Sequence, residues 1–179
     1  MNICLCSAIF PPDIGGPATF IPRLAAALLK KGHGVKVVAV SKAAEAKGYD
    51  FPVHLIARST PRILRLVKAA ALITREAADC DLIFANNLEL PAYLASIFSG
   101  KPFVLKIVGD VAWERARLKE WTNDSIDDFQ GRRYGPRIEL LKFLRSWLAR
   151  QAKAVVTPSR YLQSLVLGWG VDGINLYYS

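Results

Sequence analysis

Apolar runs and amphipathic stretches alternate along the whole chain, and this rhythm constrains the fold more than any single residue does. Ile3 to Ile9 is a continuous apolar run, as a parallel strand buried on both faces requires. A loop with Pro11, Pro12, Gly15 and Gly16 follows, and Pro17 opens a helix where a missing N–H costs nothing. That helix carries Phe20, Leu24, Ala27 and Leu28 and stops near Gly32, with Lys30 and Lys31 in its last turn. Further strands are expected at Val35 to Val40, Phe51 to Ala57 (edge-like), Leu82 to Ala85, Phe103 to Val108, Ala154 to Thr157 and Ile174 to Tyr177. Helices are expected from Pro61, carrying Ile63, Leu66, Val67, Ala70 and Ile73 inward, and over Leu90 to Phe98, Arg137 to Arg150 and Ser159 to Leu167. Ser41 to Asp50 reads as a loop, and residues 109 to 136 break the period altogether. A connection of that length is more often functional than idle.

The order of elements predicts an α/β fold: a doubly wound, mostly parallel sheet of about seven strands with helices on both faces. Residues 1–179 are read as one Rossmann-like domain. Ligands of such sheets bind beyond the carboxyl ends of the strands. The segments to watch are Phe10 to Gly16, Asn86 to Glu89, Gly109 to Pro136 and Pro158 to Arg160.

Composition removes several classes. The hydrophobic fraction of 52% excludes a disordered chain. No apolar run is long enough to span a bilayer. The opening MNICLCSAIF lacks a basic leader and is cut short by PPDIGG, so it reads as a first strand and the protein as cytoplasmic. Cys4, Cys6 and Cys80 have no metal spacing and read as buried thiols. The net charge of +9 attracts phosphates, anionic lipid or nucleic acid. Nucleic acid ranks last, because no RGG, zinc-finger or RNP-like pattern is present. The Gly loop is neither G-x-G-x-x-G nor G-x-x-x-x-G-K-[ST], and no acid ends the second strand. A nicotinamide dinucleotide site and a P-loop are both unsupported.

Four segments in order carry a resemblance. The first strand and FPPDIGGPATFIPRLAAALLKKGHGVKVV, with its phrase Leu29, Gly32, His33 and Val35, are followed by KPFVLKIVGDVAWERA, AVVTPSRYLQSLVLGWGV and INLYYS. Together these resemble the N-terminal domain of GT-B fold, family 4 glycosyltransferases, over nearly the whole chain. The resemblance implies an acceptor-binding half of a retaining, nucleotide-sugar-dependent enzyme that transfers a hexose-type sugar to a glycan or lipid-linked acceptor. Its partner would be a C-terminal donor-binding domain with an E-x7-E motif. This half alone would bind no cofactor and be inactive. The nucleotide-diphosphate sugar belongs to the full enzyme. Gly15 and Gly16 would face the donor phosphates or the acceptor, and Thr19, Asn86, Asn87, Lys106, Gly109 and Ser159 would line the acceptor side. A non-catalytic glycan, lipid or partner binding module is the alternative, and an unrelated nucleotide binder a third reading.

One departure from the family shifts the site. Where many members carry a His before Gly at the end of the central strand, this chain has Val108. Any polar role there passes to Asp110 or Glu114, whose carboxylates could orient or deprotonate an acceptor hydroxyl. Asp110 would equally serve as the cap of a helix starting near Val111, and Glu114 as a solvated charge. The Gly-Gly loop could be a plain tight turn, and Asn86 and Asn87 turn residues. Lys106 interrupts an apolar strand, so its head should reach solvent or an anion. Ser159 suits an N-cap. His33 reads as structural, and His54 has no evident partner.

Two basic groups stand out: Arg58, Arg62, Arg65, Lys68 and Arg75, then Arg132, Arg133, Arg137, Lys142 and Arg145. Each is either a solvated face or a dock for an anionic membrane or a phosphorylated acceptor. A peripheral location at the inner face of the membrane follows from the second option. Trp113, Trp121 and Phe129 would suit a sugar platform, an interface anchor or plain packing. The exposed cleft face of an isolated half should also promote self-association.

Overall fold

A computed structural model describes residues 1–178, so Ser179, the last residue of INLYYS, lies outside the described residues. The chain forms two compact units, Met1–Lys106 and a second beginning at Ile107. Its class is Rossmann-like α/β, with strands and helices alternating and every described strand pairing parallel.

The first unit holds β1 (Asn2–Ser7), α1 (Gly16–Lys30), β2 (Gly34–Ser41), β3 (Val53–Ala57), α2 (Arg62–Ala77), β4 (Leu82–Asn86), α3 (Glu89–Ser99) and β5 (Phe103–Lys106). The strands lie in the order β3-β2-β1-β4-β5. The chain winds outward from β1 to β3, then returns to the other side of β1. Right-handed crossovers therefore send α1 to one face of the sheet and α2 and α3 to the other. Side chains follow this division. Ile3, Leu5, Val35 and Val37 pack with Ile21 and Ala25 of α1. Cys4 and Cys6, pointing the opposite way along β1, are fully buried.

All three cysteines are free and buried, as the sequence predicted. Burial raises the Cys6 thiol well above its ordinary range and lifts Cys80 to about 11. Neither is a nucleophile at neutral pH.

The second unit holds α4 (Val111–Leu118), α5 (Ile126–Gly131), α6 (Pro136–Gln151), β6 (Ala154–Thr157), α7 (Arg160–Gly168), a 3-10 turn (Gly173–Asn175) and β7 (Leu176–Tyr178). Strands β6 and β7 pair in parallel, Val155 beside Leu176. Ile107 N–H donates to Val156 O at 2.9 Å. The aperiodic stretch from 109 to 136 is thus partly helical. Helix α4 buries only Ala112 and Ala116, and α5 buries only Phe129. Two alanines and one aromatic give no readable period.

Several details differ from the expectation: β3 starts at Val53 and not Phe51, β5 stops at Lys106 and not Val108, β7 starts at Leu176 and not Ile174, and in α2 Ile63 and Val67, expected to face inward, are exposed. β1 stops at Ser7, because Ser7 Oγ donates to Ile9 O at 2.6 Å and folds the chain into the loop. β4 runs on through Asn86, whose carbonyl accepts from Ala8 N–H at 3.3 Å. None of the described helices is long and apolar enough to cross a membrane.

Candidate functional site

In the first unit the winding reverses between β1 and β4, where Ser7 stands beside Asn86. A crevice at such a switch point is the usual ligand position in an open parallel sheet. The Gly loop rises from the β1 side. Phe10 is fully buried beneath it, and burying such a ring stabilises by about 1.5–3 kcal/mol. Ser41 Oγ, from the end of β2, is 3.1 Å from both Phe10 O and Pro11 O. Asp13 accepts from Lys42 N–H at 3.3 Å and from Arg58 Nε at 2.8 Å. Arg58 also donates to Ala8 O at 2.9 Å. Arg58 is therefore a clamp on the loop, and the sequence reading of it as a free surface cation is corrected. Ser41, Asp13 and Arg58 escaped sequence reasoning because their partners lie 29 to 50 residues away.

Gly15 has φ 156° and ψ 162°, a region closed to side chains, while a Cβ on Gly16 would meet open space. Backbone geometry demands the first glycine only. Thr19 is exposed one turn into α1, its N–H bonded to Gly15 O at 3.3 Å. An open hollow of about 420 Å³ lies beside the loop, lined by Ile9, Pro12, Asp13, Ile14, Lys42 and Arg58.

Asn86 is buried at the tip of β4, and its side-chain Oδ1 has no hydrogen-bond partner among the described residues. A buried orphan acceptor costs about 1–3 kcal/mol. Asn87 takes φ 60°, a left-handed turn that Asn tolerates. Lys106 stands beside Asn86 in the register of β4 and β5. It was expected to reach solvent or an anion. Instead it is buried, with Nζ 4.1 Å from the centre of the Phe20 ring, and burial lowers its pKa. A cation over an aromatic face recovers part of the desolvation cost.

In the second unit Asp110 caps α4. Its Oδ1 accepts from Ala112 N–H at 3.0 Å and Trp113 N–H at 3.1 Å. Its Oδ2 accepts from Gln130 Nε2 at 2.9 Å and pairs with Arg145. Arg145 in turn stacks on Trp169 at 4.0 Å, and Trp169 Nε1 donates to Gln130 Oε1 at 2.9 Å. Asp110 is 0% exposed, and both oxygens are engaged. As placed, it cannot touch an acceptor hydroxyl. The capping alternative is the one the structure realises. Gln130 and Trp169 carried no sequence signal, and Arg145 stood out only as a member of the second basic group, not as a partner for Asp110.

Glu114 sits one turn into α4, with its carboxyl folded against Gly109, where a Cβ would overlap Oε1. Glu114 is an exposed residue, but partial desolvation of its carboxyl, then the nearby Asp110 charge, raise its pKa. Val108, 41% exposed, precedes this Gly. Ser159 caps α7, accepting from Leu162 N–H at 3.2 Å.

The remaining candidates are largely structural. Phe129 is fully buried and stacks on Tyr134, Trp113 Nε1 donates to Asp124 O at 3.1 Å, and Trp121 stays partly exposed. Arg132 pairs with Asp124, and Lys142 donates to Arg132 O at 2.8 Å, so the second basic group is not a set of free charges. His33 is held at the end of α1, its N–H on Leu28 O at 3.1 Å. His54 does have a partner, Glu76 Oε2 at 3.3 Å, contrary to expectation. Among the described residues no cluster of three or more His, Cys, Asp or Glu forms a metal site.

The sequence model of glycosyltransferase family 4 matches residues 14–177. No curated protein matches the chain. Among solved structures, HepE from Anabaena in complex with UDP-glucose superposes with a TM-score of 0.66 at 15% identity, over 99% of this chain and 43% of that one. The lipopolysaccharide outer core galactosyltransferase WaaB gives 0.61 at 13% identity, over 98% and 44%. A UDP-N-acetylglucosamine 2-epimerase from Rickettsia bellii gives 0.57 at 8% identity, over 99% and 44%. The chain thus spans less than half the length of these proteins. Identities this low speak for the fold alone, and the fold is shared by transferases and an epimerase.

Proposed function

The chain belongs to glycosyltransferase family 4, and from that premise we propose that residues 1–179 act as the acceptor-side, N-terminal half of a retaining, nucleotide-sugar-dependent glycosyltransferase. The observation that carries this reading is the family match along 14–177, in a chain that spans about 43% of relatives such as HepE. A C-terminal domain would hold the nucleotide-diphosphate sugar. This half would receive a glycan or lipid-linked acceptor and present one hydroxyl to a hexose-type sugar.

The residues divide the work as follows. Gly15 and Gly16 bring bare backbone to the α1 N-terminus, where N–H groups favour an anionic group. Thr19, Asn86, Asn87 and Lys106 serve the acceptor in the first unit. The orphaned Asn86 Oδ1 is the acceptor atom best placed to be completed by a ligand hydroxyl. In the second unit Gly109, Glu114 and Ser159 contribute. Glu114, with its raised pKa, is the group suited to exchange a proton with the acceptor hydroxyl. Asp110 is a positioning residue that fixes α4, and with it Glu114, through the cap and the Arg145 pair. Ile14, 99% exposed at the tip of the Gly loop, gives the isolated half a point of self-association.

Calorimetric titration with lipid-linked and free oligosaccharides tests the acceptor assignment. Saturable binding that Asn86→Leu weakens at least tenfold supports it. Binding indifferent to Asn86, Lys106 and Glu114 would leave the acceptor side elsewhere and sink the assignment.

A further inference from the structure

We propose, resting on the acceptor-side reading above, that a hollow of the second unit walled by Trp121, Pro136 and Arg137 is a subsite for an acidic sugar, a uronate residue of the acceptor glycan. The hollow measures about 310 Å³ and is lined by Trp121, Gly135, Pro136, Arg137 and Ile138. Its two sides are fixed. Helix α4 closes with Glu120 at φ 56°, a left-handed turn that usually falls to glycine. Trp121 N–H then donates to Ala116 O at 2.9 Å, and Arg117 Nη1 to Asn123 Oδ1 at 3.1 Å. Asp124 accepts from Tyr134 Oη and from Arg132 Nη1 at 2.8 Å, which ties the segment after Trp121 to the segment before Gly135. The Trp121 side chain is thus presented on a held backbone, with the residue 40% exposed. Gly135 adds room. Its φ of −65° suits any residue and a Cβ there would meet open space, so neither backbone nor packing calls for a glycine. Bare backbone at the rim leaves space that a ligand can take.

Chemistry selects the occupant. An exposed indole offers a flat apolar face with one N–H donor at its edge. The CH-rich face of a pyranose ring lies flat on such a surface while its hydroxyls stay in water. Arg137 adds a planar guanidinium whose paired N–H groups match a carboxylate. Of the second basic group, Arg132, Lys142 and Arg145 are engaged elsewhere, whereas Arg137 is exposed with no ion pair among the described residues. No acid lines the hollow, Glu120 included. Asp124 is paired with Arg132, and Glu139 accepts from Tyr134 N–H at 3.0 Å, so an incoming carboxylate meets little competition for Arg137. A neutral sugar would use the indole alone and an inorganic anion the arginine alone. A uronate uses both. Glu114 and Trp121 are seven residues apart, about 10 Å along the α4 axis. One sugar ring does not bridge that interval, and an oligosaccharide does. The uronate is therefore a residue away from the reacting hydroxyl, and the hollow selects the glycan being extended.

The test is heteronuclear NMR of the isotope-labelled chain, titrated with a tetrasaccharide of alternating glucuronate and glucose and with its carboxyl-reduced, neutral form. Trp121→Phe assigns the Trp121 indole signal among the four tryptophans. That signal is expected to shift saturably with the acidic form, and the neutral form to bind roughly tenfold more weakly or worse, the scale of a hydrogen bond to a charged group. Arg137→Gln removes the preference and leaves the neutral affinity. Trp121→Leu, which keeps an apolar side chain there, weakens both forms while circular dichroism stays native. Arg23→Gln makes the same charge change in the first unit and leaves the preference intact. Equal binding of the two forms, a Trp121 signal that never moves, equal loss with Arg23→Gln, or tighter binding of a phosphorylated than of a uronate oligosaccharide would overturn the proposal. The acceptor reading fails separately. A saturable Trp121 shift that Asn86→Leu leaves unchanged keeps the hollow and removes Asn86 from the acceptor side, whereas binding that Asn86→Leu weakens with Trp121 silent removes the hollow alone.

Discussion

Arg145→Met is the most informative perturbation of the second unit. It strips the buried Asp110 carboxylate of its charged partner and removes the cation stacked on Trp169. Breaking a buried pair from one side costs about 3–5 kcal/mol, because an uncompensated charge stays behind. Two features move the expectation to the lower end, near ~3 kcal/mol. Asp110 keeps the two capping N–H groups and Gln130 Nε2 as donors. Arg145 Nε is itself buried without an acceptor among the described residues, so its removal relieves a penalty. Methionine fills much of the vacated volume. Urea unfolding followed by tryptophan fluorescence reads the loss, with Trp169 inside the network as reporter. Asp110→Asn should cost less, since Asn also caps helices well. The double variant should fall short of the sum by roughly 1–3 kcal/mol, the usual coupling of contacting residues. A loss below about 1 kcal/mol for Arg145→Met, or strict additivity, would refute the view that this pair holds α4 in place.

Three further outcomes are expected. The Glu114 pKa is raised in the folded state, so the native protein holds this proton more tightly than the unfolded chain does. Stability therefore falls as pH rises from the unfolded value, about 4.3, through the raised folded value. Melting curves of Glu114→Gln should lose that slope, and an unchanged profile would discount the shift. Glu76 is the opposite case: burial acts to raise its pKa, but the Arg75 hydrogen bond and the His54, Arg75 and Lys36 charges bring it below the ordinary value. Its contribution is present above the unfolded pKa and lost as pH falls through the folded one, so Glu76→Gln should flatten the acid limb of urea-derived stability. Gly15→Ala should cost about 1–3 kcal/mol from the backbone region it forces on alanine, whereas Gly16→Ala should be near neutral, and equal losses in thermal unfolding would contradict the assigned geometry.

The fold was legible because strand and helix leave different apolar periods, and seven parallel strands need long buried runs such as Ile3 to Ile9. What escaped was set at long range. Nothing near Asn86 announces that its carbonyl will take Ala8 N–H and so lengthen β4. The α4 helix hides because its buried face is two alanines. The same limit governs the site. A carboxylate at Asp110 after a strand is visible in the sequence, but whether it faces a ligand or a guanidinium depends on Arg145, 35 residues on. Glycines split likewise: the Gly-Gly pair is readable, yet only the folded backbone separates Gly15, held by its backbone angles, from Gly16, which is not.

The central claim is that this family 4 chain is the acceptor side of a sugar-transferring enzyme. The direct measurement joins it to a donor-binding domain bearing an E-x7-E motif and follows labelled sugar from a nucleotide sugar into acceptor. Transfer is expected from the joined protein, none from the 179-residue chain alone, and a fall of at least about a hundredfold for Glu114→Gln, the usual scale for losing a general acid or base. A joined, folded protein that binds the sugar nucleotide and transfers nothing, or that transfers equally well without Glu114, would contradict it.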